Sequence, residues 1–334
     1  MTNKKPILVL GAGSWGTALA LVLAKNGYPV LLWDAYRDHL QRLIEERRNT
    51  RYLPDYPFPA LLQPSADLDG VLQQVADIVV AVPCEGIRAV MQQVAEHSTK
   101  KFRLCIASKG LEPESRNLNH VVVGQYLRDA QIAVISGPSF AGEVAAGLPT
   151  AVTVAAQEVS VANHFLQRFH NEVFRIYTND DIVGVQIGGA VKNVMAIAAG
   201  IADGLGFGAN TRAALITRGL AEITRLGTAM GGRLETFMGL TGLGDLVLTC
   251  TDDQSRNRRL GLSLAGGKDL KVIQEEIGQA IEGARTATAV HLLARDHGIE
   301  MPISEQIYLV LNGEQTPREA VQVLLAREPK AEVN

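Results

Sequence analysis

Cysteine is scarce in this chain. Its 334 residues include three, Cys84, Cys105 and Cys250. None forms a CxxC pair, and the seven histidines do not cluster with them. No metal site and no disulfide framework is expected, and reduced thiols fit a cytoplasmic location. A basic surplus is also missing: 32 Lys and Arg stand against 35 Asp and Glu, a net charge of -3. That argues against nucleic acid or an anionic membrane as partner. An anionic substrate would need a local basic site instead. No apolar run reaches the roughly 20 residues of a membrane helix. The richest stretch, Ile132 to Ala156, is broken by Pro138, Glu143 and Pro149, so no integral membrane segment is expected. Met1–Lys5 leads directly into a strand pattern, so no secretory leader is expected either. Internal repeats and low-complexity tracts are absent.

What is present is a folded composition, 47% hydrophobic and 20% charged. The length exceeds one ordinary core and implies two domains. In the first half, short apolar β-rich runs alternate with helical patterns: Ile7–Leu10, Val30–Trp33, Ile78–Val82, Leu104–Ala107 and Ile132–Ser136. A helix is expected from about Ser14 to Asn26. Continuous apolar strands of this kind predict a parallel sheet covered on both faces, a doubly wound α/β domain. Ala151–Ala155 and Phe174–Tyr177 extend the sheet. After about residue 185 helical periods take over. The expected helices are Gly188–Asp203, Thr211–Met230, Thr236–Leu240, Ser255–Ala265, Gly283–His297 and Pro317–Leu325. The expected division is 1–186 for a Rossmann-type domain and 187–334 for an all-α domain, packed together without a flexible linker. Met301–Asn334 receives no role beyond packing, and its charged end is expected to fray.

Gly11-Ala12-Gly13-Ser14-Trp15-Gly16 follows the first strand and opens a helix. A GxGxxG motif is informative in that context. Gly11 permits the tight turn, Gly13 lets backbone approach a pyrophosphate, and Gly16 lets helix and strand pack closely. The helix N-terminus then offers free N–H groups and partial positive charge. Asp34 ends the second strand, where an acid binds the adenine ribose hydroxyls of NAD. Arg37, three residues on, is suited to the 2′-phosphate of NADP. A cap role for Asp34 is the alternative. Val82-Pro83 ends the Ile78–Val82 strand at the sheet edge where a nicotinamide would pass; a packing and turn role is the alternative for Pro83.

Oxidising a secondary alcohol needs a hydride acceptor and a group that takes the hydroxyl proton. Lys192 lies in an otherwise apolar, small-residue helix, Gly188–Gly200. A lone cation there is costly unless it faces a cleft or a partner. Snorkelling to solvent is the alternative.

Six sets of residues, taken in order over nearly the whole chain, resemble the bacterial-type NAD(P)-dependent glycerol-3-phosphate dehydrogenase family. They are Gly11–Gly16, Ser108-Lys109-Gly110, Ser136–Ala141, Val191-Lys192-Asn193, Gly239–Asp245 and Ser255-Arg256-Asn257. The resemblance implies a Rossmann-type domain joined to an α-helical domain of the 6-phosphogluconate dehydrogenase C-terminal-like kind. The active site lies between them, and the cofactor is NAD or NADP. It also implies hydride exchange between NAD(P)H and dihydroxyacetone phosphate, giving sn-glycerol 3-phosphate for phospholipid synthesis. A homodimer is the expected assembly.

By the same resemblance Lys192 is the proton acceptor in oxidation, and Asp245, after a mobile Gly-rich loop, orients it. Lys109 reaches both cofactor and substrate; an exposed loop lysine is the alternative. Gly137 and Ser139 line the cleft, with Ala141 beside the cofactor, and helix capping is the other reading of Ser139. For Asp245 the other reading is an N-cap. Arg256, with Ser255 and Asn257, holds the substrate phosphate through its planar fork and a helix start. Arg258-Arg259 reads as a solvated charged face. Glu282 matches a cofactor contact, or is a first-turn helix acid. The chain departs from the family pattern around Asp34, where relatives often carry a small residue followed by a basic or polar one.

Two rival functions remain. A β-hydroxyacid or 6-phosphogluconate-type dehydrogenase would need a carboxylate-binding signature early in the helical half, and none is found. A non-catalytic dinucleotide sensor would leave Lys192, Asp245 and Arg256 without a joint purpose.

Overall fold

The computed structural model describes residues 4–329 and 331. Among the described residues ten strands form: β1 Ile7–Leu10, β2 Val30–Trp33, β3 Arg48–Asn49, β4 Leu53–Pro57, β5 Leu62–Pro64, β6 Asp77–Val80, β7 Arg103–Ile106, β8 Gln131–Ser136, β9 Thr150–Ala155 and β10 Phe174–Asn179. Eight of them build one sheet in the order β10-β9-β8-β7-β6-β1-β2-β5. Its strands run parallel, as expected of continuous apolar segments, except that β9 meets β8 antiparallel. The doubly wound α/β reading of the first half therefore holds. Strand β1 pairs with β2 on one side and β6 on the other, so the chain switches direction across the sheet there. A crevice opens beyond the carboxyl ends of strands at such a point.

Sequence patterning missed β3, β4 and β5. The first two form a small antiparallel hairpin, and β5 is the sheet's outermost strand. These segments are short and hold Pro54, Pro57 and Pro64, so no apolar run marks them. Proline is tolerated at a sheet edge because the missing N–H has no partner to lose.

The second half is helical. Its axis is Ile182–Gly204, whose start lies six residues before the expected one. Gly184, Gly188 and the β-branched residues between them carry poor helix propensity. Burial overrides it, and Asp181 caps the start by accepting the Gly184 N–H at 2.7 Å. This helix is long and apolar enough to cross a membrane, yet 94% of its most apolar window is buried in the protein. It packs against Arg256–Ala265 almost backbone to backbone. A Cβ on Gly200 would fall 2.1 Å from the Arg258 carbonyl, and one on Gly261 2.1 Å from that of Ile197.

Helices Ala209–Ala229, Leu234–Phe237, Arg256–Ala265, Glu282–Asp296 and Pro317–Leu325 lie close to their expected positions. Asp245–Thr251, Leu270–Ile277 and Pro302–Leu311 were not anticipated. The expected mobile loop before Asp245 is instead a wide helical turn, Leu240–Gly244. Its Thr241 and Gly242 are buried, and a Cβ on Gly242 would sit 2.0 Å from the Phe237 carbonyl. Gly242 is there for close packing, while Gly239 and Gly244 meet their neighbours only at ordinary contact distance. Residues 330 and 332–334, part of the end expected to fray, lie outside the described residues.

Two buried clusters fill the molecule. The first runs from Ile7 to Val185, and the second takes up Ile187 onward with Leu111 and Leu118. The central helix thus begins in one core and continues into the other.

Candidate active site

The glycine loop meets the crevice at the switch point. Gly11 has φ +103°, and a Cβ there would lie 2.8 Å from the Ala81 and Val82 backbone. A Cβ on Gly16 would strike the Gly11 carbonyl at 1.9 Å. Gly13 differs, because nothing stands within 4 Å of where its Cβ would project. The helix Ser14–Lys25 starts there without a side-chain cap and without an acid in its first turn. Trp15 keeps a buried indole N–H with no partner among the described residues. An open cradle at an uncapped helix N-terminus fits an anionic pyrophosphate. On the far side of the crevice, Gln279 of the helical half accepts from the Ser14 hydroxyl at 3.2 Å.

Asp34 is engaged with this loop. Its Oδ2 accepts the Ala12 N–H at 2.7 Å, and its Oδ1 accepts the Tyr36 N–H at 3.0 Å. Arg37 is exposed at the first position of the next helix.

The chemistry concentrates around one carboxylate. Asp245 opens the helix Asp245–Thr251 and is 1% exposed. Lys109 Nζ donates to its Oδ2 at 2.8 Å, and Lys192 Nζ to its Oδ1 at 3.0 Å. Lys109 follows β7 at the carboxyl edge of the sheet, so its ion pair joins the two halves. It also donates to the Gly137 carbonyl at 2.7 Å and contacts the Ser139 hydroxyl at 3.4 Å. That uses all three of its hydrogens and excludes the exposed-loop alternative. Ser139 donates to Gly137 and caps no helix. Ala141 begins the next helix beside them.

Lys192 does not snorkel. It is buried, and besides Asp245 it donates to Thr249 Oγ1 at 2.7 Å. Thr249 in turn donates to the Asp245 backbone carbonyl at 2.6 Å. Two of the three ammonium hydrogens are committed and one is left. Burial drives the Lys192 pKa down, the Asp245 charge pulls it back, and Lys109 lowers it again; the result is about 8. Burial alone would raise the Asp245 pKa, but the two ammonium groups hold it below the usual carboxylate range.

Thr249 was missed by sequence reading. Its signal was its spacing, since Asp245 and Thr249 stand i, i+4 on one helix face. Asn193 was noticed only as a motif member. It accepts from Asn257 Nδ2 at 2.9 Å, while Asn257 Oδ1 accepts the Gly283 N–H at 3.0 Å. Asn257 therefore retains one N–H beyond its bracing role.

Ser255 caps the helix Arg256–Ala265, accepting the Arg258 N–H at 3.2 Å. Arg256 donates to the Ala280 carbonyl at 2.8 Å and forms no ion pair among the described residues. Burial lowers its pKa, with Glu282 opposing that shift. A half-buried guanidinium with no carboxylate in direct ion-pair contact is a seat for an anion. Arg258 corrects the expected solvated face: it is buried and paired with Asp203 and Asp253. Arg259 is exposed as expected. Glu282 opens the helix Glu282–Asp296 and engages the backbone of Cys84, with burial raising its pKa.

Comparisons with known proteins agree with the two-part fold. Residues 6–162 match the family described as NAD-dependent glycerol-3-phosphate dehydrogenase N-terminus, and residues 181–322 the corresponding C-terminus. The chain is 57% identical over 326 residues to a glycerol-3-phosphate dehydrogenase [NAD(P)+] of Nitrosococcus oceani, covering 97% of this chain and 95% of the relative. It is 54% identical over 331 residues to the enzyme of that name from Thioalkalivibrio sulfidiphilus, covering 99% of each. A solved glycerol-3-phosphate dehydrogenase from Coxiella burnetii superposes with a TM-score of 0.94 at 50% identity, over 97% of this chain and 99% of that one. By sequence and by fold, the chain belongs to the NAD-dependent glycerol-3-phosphate dehydrogenase family.

Proposed function

We propose that the chain reduces dihydroxyacetone phosphate to sn-glycerol 3-phosphate with NADH or NADPH and also catalyses the reverse reaction. One observation carries the reading: Lys192 is a buried amine with a pKa of about 8 and one hydrogen left to donate. A proton shuttle works best when its pKa lies near the working pH.

When bound, the nicotinamide supplies or takes the hydride. Gly11, Gly13, Ser14, Trp15 and Gly16 hold the pyrophosphate end of the cofactor. Asp34, Lys109, Ala141, Arg256 and Glu282 complete its surroundings, whereas Arg37 is exposed at the start of the next helix and takes no part in holding the cofactor. Lys192 gives its proton to the carbonyl oxygen in reduction and takes one from the hydroxyl in oxidation. Asp245 and Thr249 aim the amine. Lys109 shares the Asp245 carboxylate and, with Gly137 and Ser139, lines the substrate side. Arg256, Ser255 and the spare N–H of Asn257 grip the phosphate. A remote anchor of that kind holds the reacting carbon in place and lowers the entropic barrier. We assign cofactor binding to residues 1–186 and substrate handling to 187–334; the change of core between Val185 and Ile187 supports this division. Supply of phospholipid synthesis and a cytoplasmic homodimer complete the proposal, and sedimentation would check the dimer.

The Lys192→Ala variant tests it. Turnover should fall on the order of 10²- to 10⁴-fold, while NADH affinity by fluorescence titration stays near wild type. A variant that keeps most of its turnover removes Lys192 from the chemistry.

A further inference from the structure

The first residues after β2 raise a question of cofactor choice. Two opposite charges stand there, Asp34 and Arg37, and only one is held in place. Asp34 accepts the Ala12 N–H at 2.7 Å and the Tyr36 N–H at 3.0 Å. Ala12 is itself pinned, since its carbonyl accepts from Asn49 Nδ2 at 2.8 Å and lies 3.1 Å from His39 Nε2. The carboxylate therefore cannot swing away from the glycine loop. No lysine or arginine pairs with it among the described residues. Arg37 is exposed, at the start of a helix, and forms no ion pair among the described residues.

We propose that Asp34 makes this chain select NAD(H) over NADP(H). The proposal rests on the dehydrogenase reading above and settles which cofactor that site prefers. A dinucleotide whose pyrophosphate sits on the first helix brings its adenine ribose to the end of β2. The two oxygens of Asp34 keep lone pairs that accept ribose hydroxyls beyond the two backbone donors. A 2′-phosphate there would meet a carboxylate fixed by two N–H groups, with the 2′-hydroxyl donor lost and only the 3′-hydroxyl left. Like charges brought together in this way discriminate strongly between ligands. Arg37 offsets little of that, because an exposed and unanchored side chain loses entropy when it orders on an anion and is screened by salt.

The test compares NADH and NADPH binding by fluorescence titration of the full chain without substrate. Wild type should bind NADH about tenfold or more tightly than NADPH, as expected for juxtaposed like charges. In Asp34→Asn the charge goes while one acceptor oxygen stays. NADPH should then gain about tenfold relative to NADH, the inverse of that penalty. Arg37→Ala should leave both affinities within about twofold, as befits an exposed charge. A wild type that binds NADPH as well as NADH overturns the proposal. So does an Asp34→Asn variant in which both affinities change by the same factor, because loop bracing alone predicts that result. Selective loss of NADPH binding in Arg37→Ala would transfer the discrimination to Arg37. If neither cofactor binds wild type, the dehydrogenase reading fails, and this inference with it.

Discussion

Two buried aspartates lie at opposite edges of the same sheet, and each is gripped by more than one basic group. Asp77 begins β6 at the amino edge. It accepts from Arg103 Nε at 2.7 Å, contacts His164 Nε2 at 2.8 Å and accepts from Arg168 Nε at 2.8 Å. Asp245 lies at the carboxyl edge, with Lys109 and Lys192. Burial alone would raise the pKa of each, and in each the partners win and lower it. The difference lies in the partners. Two of those around Asp77 are guanidiniums, which do not give up protons in proteins. They lock β6 to β7 and to the helix Val159–Phe169. Around Asp245 the partners are amines, and burial brings one of them to a pKa of about 8. A buried carboxylate with cations around it is thus no sign of function by itself. A partner able to release a proton into a cleft is.

Asp245→Asn should break the contrast most. Without the negative charge Lys192 loses both its orientation and the interaction that raises its pKa, so turnover should drop about 100-fold or more in steady-state assays. Asp77→Asn should do the opposite. Two guanidiniums would lose their counter-charge, at a cost of about 2–3 kcal/mol, less than for a fully buried cluster because Arg103 is one-third exposed. Calorimetry should show a loss of roughly 5–10 °C in melting temperature, while turnover per folded molecule stays the same. The sign of the acid dependence follows. Because folding depresses the Asp77 pKa, its stabilisation is present above the unfolded value of 3.8 and is lost as pH falls below it.

The pH–rate profile sharpens the comparison further. Ketone reduction uses protonated Lys192, so it should fall about tenfold per pH unit above the pKa of about 8. Alcohol oxidation uses the neutral amine and should rise through the same pH. Asp245→Asn should move both limbs to lower pH, and Asp77→Asn should move neither. The smallest effect is expected from Thr249→Val. Losing one hydrogen bond to the amine should cost about 1 kcal/mol, or roughly fivefold in turnover. Unchanged kinetics there would show that Asp245 aims Lys192 without help.

Elements with a repeating signal could be read from residue order. The apolar runs of the sheet, the glycine loop and most helices of the second half carry their period in the chain. The hairpin at 48–57 and strand β5 do not, because prolines and polar residues interrupt them. Leu240–Gly244 was misread as a mobile loop because glycine marks both flexibility and close packing, and only the Phe237 carbonyl tells them apart. Arg258 was misread for a similar reason. Two adjacent arginines look solvated until Asp203, 55 positions earlier, reaches one of them.

Residue order alone set the α/β and all-α halves and the dinucleotide turn and singled out Lys192, because those features depend on local spacing and residue chemistry; Lys109, Asp245 and Arg256 were legible only through the resemblance to the family. Tertiary packing decided which lysine keeps a hydrogen to donate, how far burial lowers its pKa, that Thr249 joins it, and that Asp34 is pinned to the glycine loop. Each of these depends on groups brought to hydrogen-bond distance by the fold, and around Lys192 and Asp245 burial makes a charge cost more and a partner count for more than in solvent.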